Sequence, residues 1–181
     1  MTRAVLLLWG APAAGKTSIA CRVVRLYRAH TGQLLPYLST DAIRRALAGD
    51  EYIATMRAAV YDGILMLAQR LLEAGFAVLL DGNYLNRARR REVQDMACKL
   101  QVQLVDVLVH CTLESRLARN RTRPEAECVP EHYVVHAHGE ATKATAEATL
   151  VIDSDYTSFD EAAHRILALF EQCTSSRLSA P

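Results

Sequence analysis

The chain has 181 residues, 51% of them hydrophobic and 23% charged, with a formal net charge of +1 at pH 7. That length and apolar content support one domain with a substantial core. They exclude a disordered or low-complexity protein, which buries too little apolar surface to offset its ordering entropy. A charge near zero argues against a DNA-coating protein, which carries a large basic excess. Of the 21 basic residues, 18 are Arg and three are Lys (Lys16, Lys99 and Lys143). With 28 Ala in the same chain, coding bias is the bland reading, yet each remaining lysine invites a reason.

Short apolar runs alternate with longer segments of helical period. Val5–Trp9 reads as the first strand. The helix after it carries Ile19, Val23 and Leu26 on one stripe and Arg22, Arg25 and Arg28 on another. Leu34–Leu38 reads as the second strand. Ile53, Met56, Val60, Ile64, Leu67 and Leu71 then step by three or four along a helix ending near Gly75. Phe76–Leu80, Val102–Val109 and Leu150–Ile152 read as three more strands. Phe159, Ala163, Ile166, Phe170 and Cys173 mark a last helix. The strands are continuous apolar runs, as in a parallel sheet covered on both faces.

This order predicts one doubly wound α/β domain over 1–173, with five parallel strands and helices on both faces. A lid is expected over about 116–145 and a frayed tail from Thr174 to Pro181. In such sheets ligands bind beyond the carboxyl ends of the strands. There the sequence places residues 10–17, then Asp41, then Asp81 with Asn83, then His110, then Asp153. Five scattered cysteines without a C-x-x-C pair (Cys21, Cys98, Cys111, Cys128, Cys173) predict a reducing, cytoplasmic setting. The apolar run Ala4–Trp9 is short for a signal peptide, and no run approaches the roughly 18 residues of a membrane span. No membrane partner is expected.

Gly10, Ala11, Pro12, Ala13, Ala14, Gly15, Lys16 and Thr17 match G-x-x-x-x-G-K-[ST] in full, between a buried strand and an amphipathic helix. The glycines allow tight turning, and successive N–H groups converge on phosphates at a helix N-terminus. Lys16 would reach the β- and γ-phosphates as a compact point charge, for which the planar Arg fork is poorly suited. Thr17 would give a hydroxyl to Mg²⁺, and Ser18 completes the set. The implied ligands are a nucleoside triphosphate, ATP, and Mg²⁺. Asp81 ends an apolar strand in the Walker-B position, where it can hold a Mg²⁺-bound water or the Thr17 hydroxyl. As part of an Asp-Gly pair it is also an ordinary turn residue.

Asp41 follows the second strand, beside the expected γ-phosphate, where a carboxylate can orient an acceptor hydroxyl and take its proton. A first-turn helix acid is the plain alternative, and the two roles can coexist. Arg44, one helical turn on, is expected to face the same opening.

These segments, with Ser39-Thr40-Asp41 and Arg44, Leu79 to Asn83, and Arg119-Asn120 with Arg123, resemble in order the AAA-type predicted-kinase domains grouped with polynucleotide kinase and seryl-tRNA kinase. More distantly the chain is similar to adenylylsulfate kinase, gluconate kinase and chloramphenicol phosphotransferase. The resemblance covers roughly residues 3–155 and implies the P-loop NTPase fold. It implies Asp41 as general base on the acceptor side and Arg44 as a substrate or phosphate ligand. The arginines at 116–123 then belong to a lid closing over ATP. The stretch 124–149 matches no substrate-defining pattern.

Arg116, Arg119 and Arg123 recur at i, i+3 and i+7, so one helical face can present three guanidiniums to a polyphosphate or stack one on a base. Arg121 points elsewhere. Arg87, Arg89, Arg90 and Arg91 crowd the first turn after Asp81 and oppose the helix dipole. A phosphate-bearing acceptor would relieve them, as would Glu92, Asp95 or water. Cys128, His132, His136 and His138 are spaced too raggedly to favour zinc. Together these features predict transfer of a γ-phosphoryl group to a hydroxyl of a small metabolite or a polynucleotide end. Asn83, Arg87 and Arg90 join Asp41 and Arg44 on the acceptor side. A nucleotide-binding ATPase or switch is the competing reading.

Overall fold

The computed structural model describes residues 3–51 and 53–175. In chain order they form β1 (Ala4–Trp9), α1 (Lys16–Thr31), β2 (Tyr37–Ser39), α2 (Thr40–Ala48), α3 (Met56–Glu73) and β3 (Val78–Gly82). There follow α4 (Arg87–Lys99), β4 (Gln103–His110), α5 (Leu113–Arg121), α6 (Glu131–Lys143), β5 (Leu150–Asp153) and α7 (Phe159–Ser175). Single 3-10 turns occupy Glu125–Glu127 and Thr145–Glu147. The strands make one parallel sheet in the order β2-β3-β1-β4-β5.

Register brings the carboxyl ends of the strands to one edge. Ser39 lies opposite Asp81, Trp9 opposite both Gly82 and Leu108, and His110 opposite Asp153. The polar residues at or just beyond the strands' carboxyl ends therefore gather at one edge of the sheet. The faces are covered separately, which explains the continuous apolar runs. Leu6 and Leu8 pack with Ile19, Val23, Ile166 and Phe170 of α1 and α7. Val5, Leu7 and Trp9 pack with Val60, Ile64, Val93 and Met96 of α3 and α4.

Several boundaries differ from the sequence expectation for local reasons. β2 is only Tyr37–Ser39, because Pro36 has no N–H to give a ladder; its carbonyl accepts from Leu79 N instead, and Leu34 is exposed. β3 begins at Val78, since Phe76 N is taken by Leu71 O in closing α3. The core line of α3 is Val60, Ile64, Ala68 and Leu72 with Tyr61, while Ile53 and Leu67 are exposed. Ala68 rather than Leu67 faces the sheet, so the large apolar residues mark a face slightly rotated from the true one. Thr174 and Ser175, expected in the tail, are the last residues of α7, and the rest of that segment, 176–181, lies outside the described residues. Among the described residues no helix is long and apolar enough to cross a membrane.

Leu7 is fully buried in the central strand, paired with Leu80 and Asp106 on either side. Leu7→Ala should cost about 2–5 kcal/mol, read as a lowered urea midpoint with an unchanged slope.

Candidate functional site

Residues 10–15 turn sharply between β1 and α1. Gly10 has φ +142°, and a Cβ there would stand 2.3 Å from Val109 O, so this backbone tolerates no side chain. Gly15 has φ +93°, and a Cβ there would meet the Phe159 ring at 2.7 Å. Gly10 N donates to Asn83 O at 3.1 Å, which fixes the start of the loop to the end of β3.

Three loop carbonyls are held by side chains. Lys16 Nζ donates to Ala11 O (3.0 Å), Arg116 Nη1 to Pro12 O (3.2 Å) and Ser154 Oγ to Ala14 O (2.9 Å). A trans peptide carries its N–H opposite its C=O. Fastening Pro12 and Ala14 this way turns the amides of Ala13 and Gly15 to the other side of the chain. Ala13 adopts φ +60° in doing so. Pro12 has no amide to present, and the carbonyl of its peptide bond with Ala11 accepts from Lys16.

Lys16 is buried, and burial lowers its pKa to about 8 against the opposing pull of Asp81 and Asp41. Arg116 and Arg123 lie close enough to depress it further. Asp81 is 2% exposed; its Oδ2 accepts from Thr17 Oγ1 at 2.9 Å and Tyr37 OH at 2.7 Å. Burial raises the Asp81 pKa, opposed by Lys16 and by those two hydrogen bonds. The hydrogen bond from Thr17 joins the first turn of α1 directly to the end of β3.

Asp41 is exposed in the first turn of α2, which Ser39 caps through Oγ to Ala42 N. Its charge acts on both Lys16 and Asp81, so it stands at the same edge. Arg44 does not join it. The chain doubles back after α2, and Arg44 Nη1 donates to Glu51 O at 2.9 Å. Its neighbour Arg45 instead pairs with Glu127 at 2.9 Å, tying α2 to the 3-10 turn beyond α5.

The three arginines spaced along α5 divide their tasks. Arg116 is fully buried, with Nε and Nη2 lacking partners among the described residues. Its charge acts on His110 and His138, whose rings are 5.4 Å apart and whose pKa values are lowered by burial and then by Arg116. Arg119 reaches β5, donating to Ser154 Oγ (2.8 Å) and Ser154 O (2.9 Å) beside Asp155 and Phe159. Arg123 is half-buried, and its charge acts on Lys16. Arg121 pairs with Glu131 away from the loop, as its spacing predicts.

On the β3 side, Asn83 Nδ2 contacts Tyr133 OH of α6, and Ala137 and Ala141 of the same helix pack on Ala11. Arg90 is 3% exposed and donates to Tyr84 O, Leu85 O and Glu147. Arg87 is largely exposed, with one long contact to Glu147 at 3.7 Å. Arg89 is neutralised by Asp62 and Glu92, so part of the crowded first turn is satisfied internally. Among the described residues no three His, Cys, Asp or Glu gather as a metal cluster; Cys128 Sγ lies by Asn120 O, and His138 on His110.

Tyr37, Ser154 and Phe159 are absent from the sequence-level site. Ser154 was within reach of that reading, because it follows β5 at the edge where the other strands end in polar residues. Tyr37 and Phe159 carry no such signal, since an aromatic at a strand or helix start reads as core.

Residues 5–149 match the AAA domain family. No curated protein matches the sequence. APS kinase from Mycobacterium tuberculosis, solved with AMPPNP and APS, superposes with a TM-score of 0.68 at 19% identity, covering 94% of this chain and 98% of that one. A gluconokinase from Sinorhizobium meliloti 1021 gives 0.68 at 16% identity, with coverage of 97% and 95%. Shikimate kinase from Acinetobacter baumannii, in complex with shikimate, gives 0.61 at 17%, with 94% of each chain covered. At these identities the likeness is one of fold. With the family match running from β1 to the start of β5, around an intact Gly-Lys-Thr loop, the chain belongs to the AAA domain family and has the fold of the small P-loop kinases.

Proposed function

We propose that the protein is an ATP- and Mg²⁺-dependent kinase that transfers the γ-phosphoryl group to a hydroxyl of a small metabolite or a polynucleotide end. The observation that carries this reading is Asp41. It is an exposed carboxylate at the N-terminus of α2, close enough to Lys16 and Asp81 to act on both. A transferase needs a carboxylate on that side to align its acceptor.

The loop amides and Lys16 hold the phosphates, and Arg123 adds charge beside them. Arg119, fixed against Ser154 and 33% exposed, offers its open face to the base or the polyphosphate. The Thr17 hydroxyl and the Asp81 carboxylate are hard oxygen donors in contact with each other, a donor set that fits Mg²⁺. When bound there, the ion would neutralise charge on the phosphate oxygens. In the transfer itself the acceptor oxygen bonds to the γ-phosphorus as the bond to the bridging oxygen breaks. The hydroxyl proton passes to Asp41, and ADP leaves. The APS kinase neighbour, holding AMPPNP and APS, supports nucleotide use by the same fold.

Asp41→Asn should keep ATP binding while lowering phosphoryl transfer by about 10²–10⁴-fold, measured with labelled ATP against a panel of sugars, nucleosides and 5′-hydroxyl oligonucleotides. Undiminished transfer in this variant would remove Asp41 from the chemistry, and label found only in free phosphate would favour the ATPase reading.

A second expectation concerns pH. Free Lys16 loses its proton near pH 8, while bound polyphosphate holds that proton on and raises the pKa. Binding therefore takes up a proton above pH 8. The Kd for a non-hydrolysable ATP analogue should be flat with respect to Lys16 just below pH 8 and rise up to about tenfold per pH unit above it. Titration calorimetry in buffers of different ionisation enthalpy checks the uptake, which Lys16→Ala should abolish.

A further inference from the structure

Between the first turn of α4 and the last turns of α6 lies a cleft of about 530 Å³, a volume suited to a small-molecule ligand. It adjoins the nucleotide loop through Tyr133, which lines it and meets Asn83, the residue whose carbonyl holds Gly10. Its charged walls are Arg57, Arg87, Arg90 and Lys143 against Glu140 and Glu147. Lys143 is paired with Glu140 at 3.0 Å. The single carboxylate of Glu147 serves both Arg90 (2.5 Å) and Arg87 (3.7 Å).

Arg90 is held independently of Glu147. Two backbone carbonyls, of Tyr84 and Leu85, accept from it, and its guanidinium lies 4.1 Å over the ring centre of Trp9. It stays in place if the carboxylate leaves. Glu147, by contrast, is 38% exposed on a single 3-10 turn. Two guanidiniums in the first turn of a helix facing one monoanion make a site better matched to a dianion.

We propose that this cleft binds a phosphate group carried by the acceptor, with Arg90 and Arg87 as its ligands and Glu147 as the internal carboxylate that the phosphate displaces. The inference rests on the acceptor-side reading proposed above and names the chemical class of that acceptor. The substrate is a hydroxyl compound that already bears a phosphate.

Trp9 is the chain's single tryptophan and carries Arg90 on its face, so its fluorescence reports on this cleft without any turnover. The full-length protein is first saturated with Mg²⁺ and AMPPNP, so that added phosphate meets a filled nucleotide loop. It is then titrated with inorganic phosphate, hexose 6-phosphate, the uncharged hexose and a short single-stranded oligonucleotide. Hexose 6-phosphate should bind at least about tenfold more tightly than hexose, and Arg87→Ala should erase most of that preference. Glu147→Gln should tighten phosphate binding severalfold. An oligonucleotide that outcompetes hexose 6-phosphate would assign the phosphate to a nucleic-acid end, and a weaker one to a small molecule. Silence toward both phosphate and hexose 6-phosphate, or Kd values unmoved by Arg87→Ala and Glu147→Gln, overturns the proposal. Phosphate binding without any transfer in the labelled-ATP assay overturns the kinase reading and leaves the cleft standing.

Discussion

Holding the loop carbonyls outward is the constraint on which the rest of the site depends. The backbone of residues 10–15 presents amides to an anion only if its carbonyls are satisfied elsewhere, since an unpaired buried peptide group costs as much as a lost hydrogen bond. Arg116 from α5 and Ser154 from the end of β5 supply those partners at Pro12 and Ala14. Neither is near the loop in sequence. The close approach of Gly10 to Val109 O and of Gly15 to Phe159 belongs to the same constraint, because the loop is pressed between β4 and α7. The α/β sheet acts as a frame that brings distant donors to a short stretch of chain.

Around this loop the charges are left incompletely balanced. Lys16, Arg116 and Arg123 gather where Asp81 and Asp41 supply the opposing charge, and burial disfavours both the Lys16 ammonium and the Asp81 carboxylate. Two buried donors of Arg116 have no partner among the described residues. A bound polyphosphate would restore the balance, which is the physical sense in which such a site is made for its ligand rather than for stability. The cleft between α4 and α6 follows the same logic on a smaller scale, with Glu147 as a single negative charge against two arginines.

Much of this was legible in the chain. All five strands, the parallel character of the sheet and the helix order follow from the apolar runs and their lengths, because both faces of a parallel strand are buried. The nucleotide loop is legible because its chemistry is local: glycines, lysine and threonine must be adjacent to act together. The positions of Asp41 and Asp81 at the carboxyl ends of β2 and β3 are likewise readable from the apolar runs that precede them. The surplus of Arg over Lys gains content here, since Lys16 is retained where a point charge reaches a loop carbonyl. The other two lysines show no comparable reason.

Spacing failed where partners were chosen across elements. Arg44 and Arg45 are sequence neighbours on one helix, yet the first closes on Glu51 O and the second reaches Glu127, because the turn after α2 decides which carbonyls are near. The i, i+3, i+7 pattern of Arg116, Arg119 and Arg123 does not foretell that they take different partners. One is sealed beneath the loop, one is tied to β5, and the charge of one acts on Lys16. The crowded arginines of α4 are likewise sorted by position, Arg90 to the interior, Arg89 to carboxylates and Arg87 to the cleft. The sequence by itself determined the fold, the nucleotide loop and the edge where chemistry gathers, for those rest on local periodicity and contiguous residues. Only the tertiary structure decided which long side chain reaches the loop, the end of β5 or the cleft between α4 and α6. A guanidinium on a flexible stem takes its partner from whatever the fold sets within reach.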